Sequence, residues 1–266
     1  MSPKPTFVLV PGAWHRPSCF DKLRDSLSKH GYPSVAVTTP SVGSEPPVTS
    51  MAPDVDAVEA AVRKVLDRGD DVYLLMHSYG GAPGSAASGR IAESGGNSGD
   101  GKGRIKRLFY VAACVPIEGI PLGSPAEVIP GFEFEYMDVN EHGNAVLNEK
   151  ALVWMYDGLP EEEQRKHLAA ASTQPIAAIT DKVAHVGWRY IPSTSVYGDQ
   201  DLPIPLRFAE FMVNRAQAEE PREGGVKAFA GELGEFHMDC GHFGMFLLDD
   251  KVEELVQILD AAVKKS

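Results

Sequence analysis

Cysteine is scarce in this chain of 266 residues: Cys19, Cys114 and Cys240 are its only three, scattered without the C-x-x-C spacing of a zinc or redox site. An odd and dispersed set excludes a disulfide framework. Positive charge is also in short supply, with 25 lysines and arginines against 37 aspartates and glutamates and a formal net charge of −12. Phosphate backbones and anionic lipids call for a basic surface, so neither a nucleic acid nor a membrane is the expected partner. No apolar run approaches the length that spans a bilayer, and the residues ahead of the first strand-like segment are too few for a secretory h-region. These absences predict a soluble, cytoplasmic protein. No internal repeat is found, which leaves aside solenoids and propellers.

The remaining composition, 43% hydrophobic and 23% charged, suits one large α/β domain with room for an inserted cap. Its most informative stretch is Val72-Tyr73-Leu74-Leu75-Met76-His77-Ser78-Tyr79-Gly80-Gly81. Residues 72–76 have the length and apolar character of a strand buried on both faces of a parallel sheet. The run then stops at a serine and two glycines, and the residues beyond are mostly small, with Pro83 in the first turn of a following helix. A strand, a sharp turn and a helix that hold a serine at a strained tip are the parts of a nucleophile elbow. The helix start would offer free N–H groups and a partial positive charge to a developing oxyanion. The usual pattern is G-x-S-x-G, and Met76 replaces its first glycine. The competing reading of Ser78 is an ordinary helix N-cap.

Further strands are expected at 6–10, 34–38, 107–113, 193–197 and 226–230, and helices at 17–29, 54–67, 206–218 and 252–263. Alternation of strand and helix predicts βαβ units and a mostly parallel sheet. Residues 93–104 contain no apolar side chain and read as a surface loop or linker. From 115 to 189 the regularity stops, and proline, acids and aromatics (Phe132, Phe134, Tyr136, Trp154, Tyr156, Trp188) accompany helical pieces near 148–156 and 160–171. Such an excursion between two sheet strands predicts a core of 1–114 and 190–266 with a mainly helical cap, 115–189, over the site.

A serine nucleophile needs a base for its proton and a carboxylate to hold that base in the right tautomer. Asp199 and Asp201 follow the strand at 193–197, and His237 and His242 lie between the expected last strand and last helix. The order Ser, Asp, His is thus available with two choices at each of the later positions. His77, at the end of its strand, reads as a buried, hydrogen-bonded histidine. Trp14, His15, Trp154, Trp188 and Phe243 are candidate pocket residues, each also readable as packing.

Taken together, these motifs identify the chain as resembling an α/β-hydrolase over nearly its whole length. Val8-Leu9-Val10-Pro11-Gly12-Ala13-Trp14-His15 resembles the branch that holds plant methylesterases and hydroxynitrile lyases. Met155-Tyr156-Asp157-Gly158-Leu159-Pro160 and Trp188-Arg189-Tyr190-Ile191-Pro192 resemble fungal members of that branch. The resemblance implies Ser78 as nucleophile, Asp201 as the acid, His242 as the base, and the backbone amides of Ala13 and Tyr79 as the oxyanion hole. It implies hydrolysis of a carboxylic ester or similar acyl bond with no cofactor and no metal; the aromatic residues of the cap point to an apolar or aromatic small molecule as substrate, and a monomer or homodimer is expected. Hydroxynitrile lyases of the branch carry threonine where this chain has Gly12 and lysine where it has Phe243. That departure argues against cyanohydrin cleavage and leaves open other C–C bond cleavage, or a ligand-binding protein with a slow or silent triad.

Overall fold

The computed structural model describes residues 5–97 and 103–265. Six parallel strands form the central sheet: β1 (Thr6–Val10), β2 (Ser34–Ala36), β3 (Val72–Ser78), β4 (Ile105–Ala113), β8 (Ser193–Gly198) and β9 (Glu235–Met238), in the order β2-β1-β3-β4-β8-β9. β1 is buried at every position and β3 at all but its last, as expected where helices cover both faces. Those helices are α1 (Asp21–Lys29), α2 (Ala52–Leu66), α3 (Gly81–Glu93), α7 (Leu206–Gln217) and α9 (Asp249–Lys264). Because β1 leads outward to β2 while β3 lies on its other side, the loops after β1 and β3 part at a topological switch point. Open α/β sheets bind ligands there, beyond the carboxyl ends of the strands.

β4 and β8 are neighbours in the sheet, and the chain between them makes the excursion that roofs this edge. It holds β5 (Met137–Val139), β6 (Asn144–Leu147), α4 (Ala151–Tyr156), α5 (Glu161–Ala170), β7 (Gln174–Pro175) and α6 (Ile176–Ile179). The three strands form a separate antiparallel sheet. This sheet is an addition to the mainly helical cap expected from sequence.

Two expectations need revision. Residues 226–230 are not a strand: Phe229 takes a left-handed φ of +48°, which turns the chain, and the last strand is β9 instead. β9 is a short edge strand with exposed Glu235 and His237, so it lacks the apolar run that marks the buried strands. Of the linker expected at 93–104, Glu93 closes α3, residues 94–97 form turns, and 98–102 lie outside the described residues. Among the described residues no helix is long and apolar enough to cross a membrane.

Candidate active site

Ser78 stands at the end of β3 with a φ of +53°, a conformation costly for any residue with a Cβ. The turn closes through the Gly80 amide on the His77 carbonyl, 2.8 Å away, and α3 starts at once. Gly80 has no room for a side chain: a Cβ there would lie 2.6 Å from the Pro11 carbonyl oxygen and 2.7 Å from that of Val10. The two loops of the switch point therefore touch, backbone to backbone.

His242, in the loop between β9 and α8 (Gly244–Leu247), brings Nε2 to 3.0 Å from Ser78 Oγ and Nδ1 to 2.8 Å from Asp201 Oδ2. Both partners of the second bond are buried. The other oxygen of Asp201 accepts the Ile204 amide at 2.7 Å, which fixes the carboxylate from behind. Asp201 thereby holds Nδ1 protonated and leaves the Nε2 lone pair facing the serine hydroxyl. His77 lies beneath, its Nε2–H donating to the His242 carbonyl at 3.2 Å while its Nδ1 is buried without a partner among the described residues. Burial, reinforced by the nearby His242 and His15 rings, pushes the His77 imidazole well below its ordinary range and keeps it neutral.

Next to Ser78 opens a cavity of about 300 Å³, walled by side chains that include Leu122, Phe134, Tyr136, Ile176, Ile204 and Phe208. Ala13 and Tyr79 also border it, and neither of their amides donates a hydrogen bond within the described residues. No charged side chain among the described residues is in the wall. No group of three His, Cys, Asp or Glu side chains among the described residues gathers as metal ligands would.

The structure separates the residues that sequence had left in competition. Asp199 and His237 pair with each other at 2.7 Å, both largely exposed, and His237 sits on β9 rather than in the loop beyond it. Of the candidate pocket residues, Trp14 borders the cavity and the other four do not. Trp154 stands one layer back, its ring 5.2 Å from that of Tyr136. Trp188 is buried, donating Nε1–H to the Pro116 carbonyl at 2.8 Å, with Arg189 over its face. His15 donates from Nδ1 to the Ala13 carbonyl at 2.7 Å and accepts the Tyr156 hydroxyl at Nε2, also at 2.7 Å. Phe243 packs on His15, ring centres 4.3 Å apart. None of the four is among the residues that line the cavity.

Sequence reading missed a buried network behind the elbow. The carboxylate of Asp54, wholly buried, accepts the Ser41 amide at 2.8 Å, the Ser41 hydroxyl at 2.5 Å and the Tyr79 hydroxyl at 2.7 Å. The Gln174 amide adds a bond to Ser41 Oγ at 3.1 Å. An aspartate in a first helical turn normally complements the helix dipole at the surface, so its sequence context gave no sign of this role.

Residues 7–258 match the alpha/beta hydrolase family. The alpha/beta hydrolase nvfD of Aspergillus novofumigatus (strain IBT 16806) is 30% identical over 206 residues, covering 76% of this chain and 80% of its own. The probable hydrolase R7 of Phoma sp. (strain ATCC 20986 / MF5453) is 26% identical over 266 residues, covering 95% and 97%. Among solved structures, a methylesterase from Arabidopsis superposes with a TM-score of 0.69 at 17% identity, over 97% of this chain and 99% of that one. With a parallel sheet, a capped switch point and a family match that runs almost end to end, this chain belongs to the alpha/beta hydrolase family.

Proposed function

We propose that the protein is a serine hydrolase that cleaves a carboxylic ester of an apolar or aromatic small molecule through an acyl-serine intermediate. One observation carries this reading: the continuous hydrogen bonds from Ser78 Oγ through His242 to Asp201, at 3.0 and 2.8 Å, open onto an apolar cavity. Ser78 Oγ attacks the ester carbonyl and gives its proton to His242 Nε2, while Asp201 stabilises the imidazolium. The Ala13 and Tyr79 amides, free of other partners and beside the N-terminus of α3, receive the tetrahedral oxyanion. The C–O bond to the leaving alcohol breaks as His242 protonates that oxygen, and water then hydrolyses the acyl-enzyme by the same steps. With no charged group in its wall, the cavity favours neutral substrates, because an unpaired charge entering it loses its hydration without compensation. Residues 115–189 act as the cap on this reading, and 1–114 with 190–266 as the catalytic core.

Lyase chemistry of the hydroxynitrile type is disfavoured by packing. A Cβ on Gly12 would lie 2.8 Å from Ser78 Cβ, so a threonine has no room, and Phe243 faces His15 rather than the cavity. The test is turnover of small aryl esters by wild type and Ser78→Ala, with mass spectrometry of the acyl adduct on rapid quench. Ser78→Ala should lose on the order of 10³-fold or more in kcat. Wild-type turnover in that variant, or an adduct on another residue, would refute the assignment.

A further inference from the structure

The cavity beside Ser78 is apolar, yet several of its walls carry polar atoms. Trp14 Nε1–H donates to the Ala145 carbonyl at 3.0 Å. The Ser124 hydroxyl accepts the Ala126 amide at 3.3 Å, the Thr180 hydroxyl donates to the Ile176 carbonyl at 3.0 Å, and that of Tyr79 is bound by Asp54. Tyr136 differs. Its residue is only 4% exposed, and no group among the described residues bonds its hydroxyl. The ring cannot swing away to find one, being held edge-on to Trp14 at 5.9 Å, edge-on to Phe134 at 5.9 Å and against Trp154 at 5.2 Å.

A hydroxyl without a protein partner, on a fixed ring at the wall of an apolar cavity, is available to an acceptor on a ligand. Tyr136 lines the cavity together with Ser78 and Cys114, which puts it on the triad side. Burial first, and then the nearby Asp201 carboxylate, push its titration above the ordinary tyrosine range. It therefore remains a neutral O–H donor at any pH at which His242 can act as a base.

Building on the hydrolase reading above, we propose that Tyr136 is a specificity-determining residue whose hydroxyl donates a hydrogen bond to an acceptor on the substrate body. The preferred substrate class is then a neutral ester that carries, besides its scissile group, an ether, ketone or second ester oxygen. Wholly hydrocarbon bodies leave the phenol unpaired, and charged ones meet no counter-ion in the wall.

The probes are methoxyphenyl and ethylphenyl acetates, as ortho, meta and para pairs, in which an oxygen replaces a methylene at nearly constant shape. Wild type should prefer the methoxy member of at least one pair by about five- to tenfold in kcat/KM, the scale of one neutral hydrogen bond. Tyr136→Phe keeps the ring and its packing, and should abolish that preference by lowering the methoxy ester more than its ethyl partner. The same pairs are titrated calorimetrically into Ser78→Ala and into Ser78→Ala/Tyr136→Phe. This arm reads recognition without turnover, so an inactive wild type would refute the hydrolase reading while the binding preference still decides the role of Tyr136. No methoxy preference in any pair, or one that Tyr136→Phe leaves intact, overturns the proposal.

Discussion

Met76 occupies the place where a nucleophile elbow usually has its first glycine, and the compensation lies in the helix that follows. A Cβ on Gly84 would collide with the Met76 side chain at Sδ and Cγ, so the bulk at position 76 is accommodated by a glycine in the helix. Gly84→Ala should therefore destabilise the fold by about 1–3 kcal/mol through overpacking, although alanine is the better helix former. Met76→Ala in the same background should recover part of the loss, measured as a non-zero coupling in a double-mutant urea cycle. Additive effects would mean that the contact is not limiting. The exchange explains how far the site was legible at single residues. Ser78 and its glycines announce the elbow, but nothing local relates position 76 to position 84. Likewise, spacing alone left Asp199 with His237 as eligible as Asp201 with His242. Burial separates them: one pair is exposed and closed on itself, the other is buried against Ser78.

At the scale of elements, the buried strands were readable because a parallel sheet covered on both faces demands continuous apolar runs. Those runs are present at β1, β3 and β4. β9 and the cap sheet carry no such run: Glu-Phe-His-Met is an edge, and Met-Asp-Val, Asn-Ala-Val-Leu and Gln-Pro are too short and polar to show a period. The Asp54 network joins elements that sequence reading treats separately: the start of α2, the loop after β2, the elbow and β7. Its contact with the site runs through Tyr79, which borders the cavity while its hydroxyl is anchored behind. Tyr79→Phe should cost about 1–2 kcal/mol by removing one donor from a buried carboxylate. It should also lower kcat more than it raises KM if the anchor sets the amide's position. An unchanged urea midpoint with unchanged kcat would show that the anchor is redundant.

For the whole molecule, the clearest energetic consequence concerns acid. His15 links the loop after β1 to the cap through Tyr156, and burial pushes its imidazole down to about 4, from 6.5 for a free histidine. His77 is shifted in the same direction by burial and by its histidine neighbours. Both rings are neutral in the fold and become charged in the unfolded chain as the pH drops through 6.5. Between there and 4 the unfolded state binds more protons than the folded one, so stability must fall as the pH falls. A displacement of that size at His15 is worth about 3 kcal/mol at full extent, a large share of a domain's stability. Asp157 acts in the opposite sense. Burial and the nearby Asp201 raise its carboxyl, so it takes up its proton more readily in the fold and stabilises it slightly on acidification. It is only half buried, whereas two imidazoles are enclosed, so the histidines should dominate. The carboxylates held low by lysines, Glu232 and Asp249, lose stability in the same sense towards the acid end of this window, but both are fully exposed and add little to the decline. Urea midpoints of wild type should accordingly be level above about pH 7 and decline steadily from 6.5 towards 4. His15→Gln, which removes one titrating ring, should lower the midpoint at neutral pH yet flatten the decline. A wild-type midpoint that stays level down to pH 4.5 would mean that the buried histidines gain charge at no cost, and the neutral His15–Tyr156 bond could not then be what ties the cap to the sheet.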